Sequence, residues 1–221
     1  MNIYLESGNL DEIRNAASAG LANGVAFSHS SSTAVGSGVN TRERLEEISR
    51  EFAFPICVPV GAVTSADIYA AARDLAKVSD HVVVQIPLVE DSLIPIAKLT
   101  AEGVVVCATF IFSPAQALLA AKTGAAAVRV TLDDLESYGH PGTRTLAEIK
   151  SVLEAAEEEC DVMAAAVSSS VQFSECALAG AEIICLTPQI LRSLVVHPLS
   201  DRGIDRFLND LAKRPKTRTP A

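Results

Sequence analysis

Short apolar, β-branched runs alternate with longer amphipathic ones along the whole chain. The apolar runs are NIYLE (2–6), GVAFS (24–28), PICVPV (55–60), HVVVQI (81–86), VVVCATF (104–110), AAVRVT (126–131), DVMAAAV (161–167) and EIICLT (182–187). Between them lie stretches with the 3.6-residue period of a helix lying on a core, such as TRERLEEISREF, SADIYAAARDLAK and LAEIKSVLEAAEEE. Strands that are apolar almost throughout, rather than alternating, belong to a parallel sheet buried on both faces. Local signals agree with this register. Ser113, Pro114 and Gln116 have the spacing of N-cap, N1 and N3 in a capping box, and Thr64 with Asp67 is similar. Gly103, Gly124 and Gly180 fall where helices must stop before the next strand.

Eight such units predict a single (β/α)8 (TIM) barrel over residues 1–213, with an extra C-terminal helix and a disordered tail at 214–221. The rival is a doubly wound open sheet. It calls for a phosphate motif at its switch point, and neither GxGxxG nor GxxxxGK[ST] occurs. In a barrel the reactive end is the C-terminal end of the strands. The polar residues that interrupt apolar strands near those ends are therefore the candidates.

Composition narrows the function. A hydrophobic fraction of 49% against 20% charged residues implies extensive buried surface and an interface between subunits. A formal net charge of -9 argues against a nucleic-acid partner, because no basic face is available to neutralise phosphates. The start, MNIYLESGNL, has neither a basic n-region nor a long apolar run, so no signal peptide is expected. No run approaches the ~20 apolar residues of a membrane span. Five cysteines without a CxxC pair fit buried, reduced thiols in a cytoplasmic protein rather than a metal site.

The chain resembles the small transaldolase family, above all its fructose-6-phosphate aldolase-like branch. The likeness is carried by MNIYLES, by VVVQIPLVEDSLIPIAKLTAEGVVVCATFIFSPAQALLAAKTGA and by AAAVSSSVQFSECALAGAEIICLTPQIL. It implies a cofactor-free barrel whose fourth-strand lysine forms a Schiff base with a ketose, aided by a first-strand aspartate. Aligned on that pattern, the Schiff-base lysine falls on Gln85 and the aspartate on Glu6. The second-strand Thr-Thr-Asn-Pro-Ser falls on Ala26, Phe27, Ser28, His29 and Ser30, and the third-strand glutamine on Pro59. Thr109 is retained. The phosphate-binding arginine after strand six falls on Asp134, and the strand-seven serine on Ala166. An amide nitrogen is a poor nucleophile because its lone pair is delocalised. The six lysines, Lys77, Lys98, Lys122, Lys150, Lys213 and Lys216, fall on helices or the tail by pattern. The family's covalent chemistry is therefore expected to be absent.

Side chains of one parity along each strand face inward; with Gln85 taken as inward, the alignment with the family implies that Glu6, Ser28, Cys107, Thr109, Arg129, Thr131 and Ser168 face inward as well. Glu6 is the candidate acid–base group, with neutralisation by Arg129 as its structural alternative. Arg129 interrupts the apolar AAAVRVTL and must find an anion: a substrate carboxylate, or Glu6, Asp133 or Asp134. Gln85 either orients a carbonyl group or fills space against Thr109. Ser28 and His29 open a Ser/Gly-rich stretch, and Tyr138 with His140 sits in a 133–143 segment long enough to fold over the mouth as a lid. Ile204, Phe207, Leu208 and Leu211 form one helical face, read as a contact between copies in a ring-like homo-oligomer or as packing on the chain's own barrel.

Three functions compete. One is an enzyme repurposed for lysine-independent condensation, cyclisation or cleavage of a small carbonyl compound, carboxylate-bearing if Arg129 grips it. Another is a non-catalytic binding or scaffold subunit. The third is a working sugar-phosphate aldolase or transaldolase with an unrecognised nucleophile. Polar residues persisting at Glu6, Gln85, Thr109, Thr131 and Ser168 favour the first.

Overall fold

The computed structural model describes residues 1–27 and 41–213. Among them, eight parallel strands close a barrel in strict chain order. They are β1 (Asn2–Leu5), β2 (Gly24–Ala26), β3 (Ile56–Pro59), β4 (Val82–Pro87), β5 (Val106–Thr109), β6 (Ala127–Thr131), β7 (Asp161–Ala165) and β8 (Ile183–Leu186). The helices are α1 (Leu10–Ser18), α2 (Thr41–Glu51), α3 (Ser65–Ala76), α4 (Glu90–Ala101), α5 (Pro114–Lys122), α6 (Leu132–Ser137), α7 (Gly142–Ala155), α8 (Ser170–Leu178), α9 (Pro188–Ser193) and α10 (Pro198–Lys213). The barrel closes where β1 pairs with β8, Asn2 opposite Ile183 through Leu5 opposite Leu186.

Two sets of buried residues alternate along the strands, as a period of two requires. Outward residues such as Val25, Ile56, Val84, Val128 and Ile184 pack against Ile13, Leu45, Ile68, Leu99 and Ile149 of the helices. Inward residues such as Tyr4, Cys57, Cys107, Met163 and Cys185 fill the barrel. Tyr4 is the bulk of the lower interior, and β2 accommodates it with Gly24, where a Cβ would stand 2.6 Å from the Tyr4 ring.

The local signals are realised. The Ser113 hydroxyl accepts from the Gln116 amide at 3.3 Å, and the Gln116 side chain accepts from the Phe112 amide at 2.9 Å. Gly103, Gly124 and Gly180 adopt φ of +84°, +91° and +90° just past α4, α5 and α8, where a side chain would be strained.

Two differences from the sequence expectation matter at the mouth. The 133–143 segment is not one continuous loop: its first part is the short helix α6, which begins as soon as β6 ends. The second difference is a break in strand alternation. Phe110, just past β5, and Ala166, just past β7, have φ of 58°. This left-handed conformation costs a non-glycine residue about 1–2 kcal/mol. It turns Ile111 and Val167 outward into the helix layer.

Candidate active site

Glu6 follows β1 directly, and its amide donates to the Leu186 carbonyl at 2.8 Å, which extends the β1–β8 ladder by one residue. Its side chain therefore keeps the inward parity of Tyr4. Arg129 is central in β6 and shares its parity with Ala127 and Thr131. The two meet across the barrel: Arg129 Nη2 donates to Glu6 Oε1 in an ion pair whose side chains are 7% and 13% exposed. Below the pair lies Gln85, fully buried. Its Nε2 donates to the Phe27 carbonyl at 3.0 Å, so its Oε1 is the atom left to face Arg129 Nη1, at 3.5 Å. The Gln85–Thr109 contact weighed as one alternative is replaced by these two partners, because the guanidinium supplies the donor that the amide oxygen needs.

Burial pulls the Arg129 pKa down, but Cys185, the Glu6 carboxylate and Cys107 together outweigh it, and the guanidinium stays charged. The thiols behave oppositely. Burial pushes Cys107 up to about 12 despite the opposing pull of Arg129, and Cys160 and Cys176 also to about 12. Cys57 and Cys185 are raised further for the same reason. All five cysteines are free and buried, so none is a thiolate nucleophile at neutral pH.

Above the ion pair opens a cavity of about 660 Å³ at the C-terminal ends of the strands. Glu6, Thr109, Arg129, Thr131 and Ser168 all line it. Ser168 is brought there by the backbone turn at Ala166 and is held by Gln172: its amide and hydroxyl donate to Gln172 Oε1 at 2.7 and 3.1 Å, while Gln172 Nε2 donates to Glu136 of α6 at 2.7 Å. Gln85 does not line the cavity. Without a ligand present, Arg129 is engaged by Glu6 and Gln85. Tyr138 is not brought to the mouth either. It caps the C-terminus of α6, is 85% exposed, and belongs with His140 to a neighbouring recess. Ser28 and His29 lie outside the described residues.

The cavity also takes in Phe110, Asp133, Asp134, Ala166, Val167 and Thr187, none of them among the predicted site residues. Their common signal is position: each falls within four residues after a strand end. Asp133 and Asp134 occupy the first turn of α6, where the helix dipole favours carboxylates, and Asp133 Oδ1 accepts from the Asp134 amide at 2.9 Å. No lysine among the described residues lines the cavity. Lys122 pairs with Glu158, and Lys150 with Glu154 and Glu182. Among the described residues no group of three or more histidine, cysteine or acidic side chains is arranged to hold a metal ion.

The family model for transaldolase/fructose-6-phosphate aldolase matches residues 45–217. A probable transaldolase of Bartonella tribocorum (strain CIP 105476 / IBS 506) is 36% identical over 213 residues, covering 96% of this chain and 97% of that protein. A probable transaldolase of Heliobacterium modesticaldum (strain ATCC 51547 / Ice1) is 37% identical over 210 residues, covering 95% and 97%. One of Caulobacter vibrioides (strain NA1000 / CB15N) is 34% identical over 212 residues, covering 96% and 97%.

Proposed function

The chain belongs to the transaldolase/fructose-6-phosphate aldolase family, and we propose that it works there without a Schiff base, as an acid–base catalyst of carbon–carbon bond formation or cleavage on a small carbonyl compound. The observation that carries this is the Glu6–Arg129 pair: a carboxylate and a guanidinium at the floor of a cavity that no lysine lines among the described residues. In this reading Gln85 stands at the family's amine position and serves Arg129 instead of the substrate.

The step is an enolisation. The substrate carbonyl oxygen takes over a hydrogen bond from Arg129. Glu6 removes the α-proton, and the C–H electron pair moves into the enolate, whose oxygen charge the guanidinium offsets. The enolate carbon then attacks an acceptor carbonyl, or takes the proton back. Thr109 and Thr131 supply hydroxyls beside the reacting atoms, and Ser168 does so from across the mouth. No cofactor enters the step. We infer two further properties. The apolar face of α10 packs on another copy of the chain, since Ile204, Phe207 and Leu208 are more than half exposed. The protein works in the cytoplasm, where its five free thiols stay reduced. No helix among the described residues is long and apolar enough to cross a membrane.

Exchange of the α-protons of dihydroxyacetone in deuterated water, followed by NMR, tests the step. The protein accelerates exchange, and Glu6→Gln, which keeps the shape but not the titrating group, lowers the rate by about 10²–10⁴. Exchange no faster than in buffer favours the non-catalytic reading, in which the internally satisfied ion pair only holds the barrel together.

A further inference from the structure

The loops after β5 and β7 are two copies of one turn. Phe110 and Ala166 both take a φ of 58°, and Ile111 and Val167 both join the outer core. At the next position the Phe112 amide donates to Gln116 Oε1 at 2.9 Å, and the Ser168 amide donates to Gln172 Oε1 at 2.7 Å. The N-cap serines, Ser113 and Ser169, then accept from the Gln116 and Gln172 amides at 3.3 and 3.1 Å. The β5 copy thus builds the turn with a phenylalanine where the β7 copy has Ser168. The turn itself needs no hydroxyl at this position, so the Ser168 hydroxyl is extra to its construction. That hydroxyl belongs to a residue lining the cavity with Glu6 and Arg129.

The Ser168 hydroxyl is also held in one sense. A backbone N–H can only donate, so the Gln172 atom that faces the Ser168 amide is the oxygen. A carboxylate accepts, so the Gln172 atom that faces Glu136 at 2.7 Å is the nitrogen. The side-chain amide is therefore fixed from both ends, and Gln172 is only 7% exposed. Its oxygen has two lone pairs. One takes the Ser168 amide and the other takes the Ser168 hydroxyl, at 3.1 Å. A serine hydroxyl has a single hydrogen, and here it is committed to Gln172. What Ser168 offers to the cavity is its oxygen lone pairs. We propose that Gln172 is a positioning residue that keeps Ser168 a hydrogen-bond acceptor. Ser168 thereby selects a carbonyl substrate carrying an O–H donor over the same molecule with that oxygen alkylated. This rests on the reading of the cavity as the reactive site and adds the residues that sort its substrates. Glu136 holds the far end of the amide, so α6, α8 and the loop after β7 set the selection together.

The test compares hydroxyacetone, which can donate, with methoxyacetone, its methyl ether, which can only accept. Kd is read for each by NMR titration against the full-length protein at neutral pH, which needs no turnover. The wild type binds hydroxyacetone more tightly by roughly two- to tenfold, the worth of one hydrogen bond. Ser168→Ala brings the ratio close to one by weakening hydroxyacetone. Gln172→Leu releases the Ser168 hydrogen, which can then turn to the ether oxygen, so methoxyacetone gains and the ratio falls. A merely structural Gln172 would weaken both probes alike and leave the ratio unchanged. Gln172→Glu/Glu136→Gln exchanges the two ends: the introduced carboxylate accepts from the Ser168 amide and hydroxyl, the introduced amide donates to it, and the wild-type ratio returns. Melting curves show any fold defect, and if Gln172→Leu does not fold, Ser168→Ala and the exchanged pair decide. The proposal is overturned by equal or ether-first binding to the wild type, by no saturable binding of hydroxyacetone, by a ratio that survives Ser168→Ala or a folded Gln172→Leu, or by a ratio lost in the exchanged pair. Proton exchange is scored separately. A wild type with the preference but no exchange loses the catalytic reading alone, and exchange without the preference loses this proposal alone.

Discussion

The guanidinium of Arg129 in β6 and the carboxylate of Glu6 at the end of β1 face each other across the barrel, 123 residues apart in the chain. Each is the other's counter-ion in a setting nearly closed to water. Removing one member leaves the other as an uncompensated buried charge, which costs roughly 3–5 kcal/mol. Arg129→Met is therefore expected to melt well below the wild type. The double variant Glu6→Gln/Arg129→Met should recover much of that loss, because no charge is left behind. A double-mutant cycle by chemical denaturation measures both. An Arg129→Met variant as stable as the wild type would mean that the pair contributes little.

Gln85 lies beneath that pair and outside the cavity, so restoring a lysine there does not restore a reactive amine. The ammonium of Gln85→Lys would sit where Gln85 Oε1 now stands, 3.5 Å from Arg129 Nη1. Two like charges at that range oppose each other in a buried site. Treatment with dihydroxyacetone and borohydride should leave the mass of wild type and of Gln85→Lys unchanged. Gln85→Lys/Arg129→Ala, which removes the competing cation and opens the space above, should gain one reduced adduct. An adduct on the wild-type protein would point to a different amine.

The buried thiols make stability fall at high pH. Cys107, Cys160 and Cys176 hold their protons up to about 12 when folded, whereas an unfolded cysteine ionises near 8.5. Between those values the unfolded chain loses protons that the folded one keeps, so unfolding becomes easier as pH rises. Below about pH 8 these groups contribute no slope. Denaturant midpoints taken from pH 7 to 11 should be flat with respect to the thiols and then decline. Ellman's reagent should find no reactive thiol in the native protein at pH 8 and five in guanidinium chloride. Rapid labelling of the native state would show that the barrel opens locally.

Helix α10 has no buried residue, although its Ile204, Phe207, Leu208 and Leu211 share one face. An apolar face of this kind left to solvent is the mark of a protein–protein contact. Light scattering should give a mass that is a multiple of 23.2 kDa, and Phe207→Glu/Leu211→Glu should reduce it to the monomer without lowering the melting point of the barrel by more than the lost contacts explain. A monomeric wild type at micromolar concentration would leave α10 without this role.

The barrel, the order of its elements and the inward residues along most strands can be read from local pattern. These rest on local causes: strand alternation, helical period, a capping box at Ser113, and glycines where φ must be positive. Glu6, Thr109, Arg129 and Thr131 were legible as inward for that reason. The remaining features have non-local causes. Whether Arg129 takes Glu6, Asp133, Asp134 or a substrate depends on where β1 and β6, distant in sequence, and α6 bring their side chains, and no periodicity encodes that distance. Gln85 was legible as inward but not as sealed, because its cover comes from β6 and the end of β1. Ser168 reaches the mouth where Ala166, at φ 58°, breaks the strand alternation and Val167 joins the outer core. Asp133 and Asp134 were visible as a charged pair, but their cavity appears only once α6 folds directly off β6. That same fold turns Tyr138 out to solvent, since a helix started at Leu132 carries residue 138 past the mouth rather than over it.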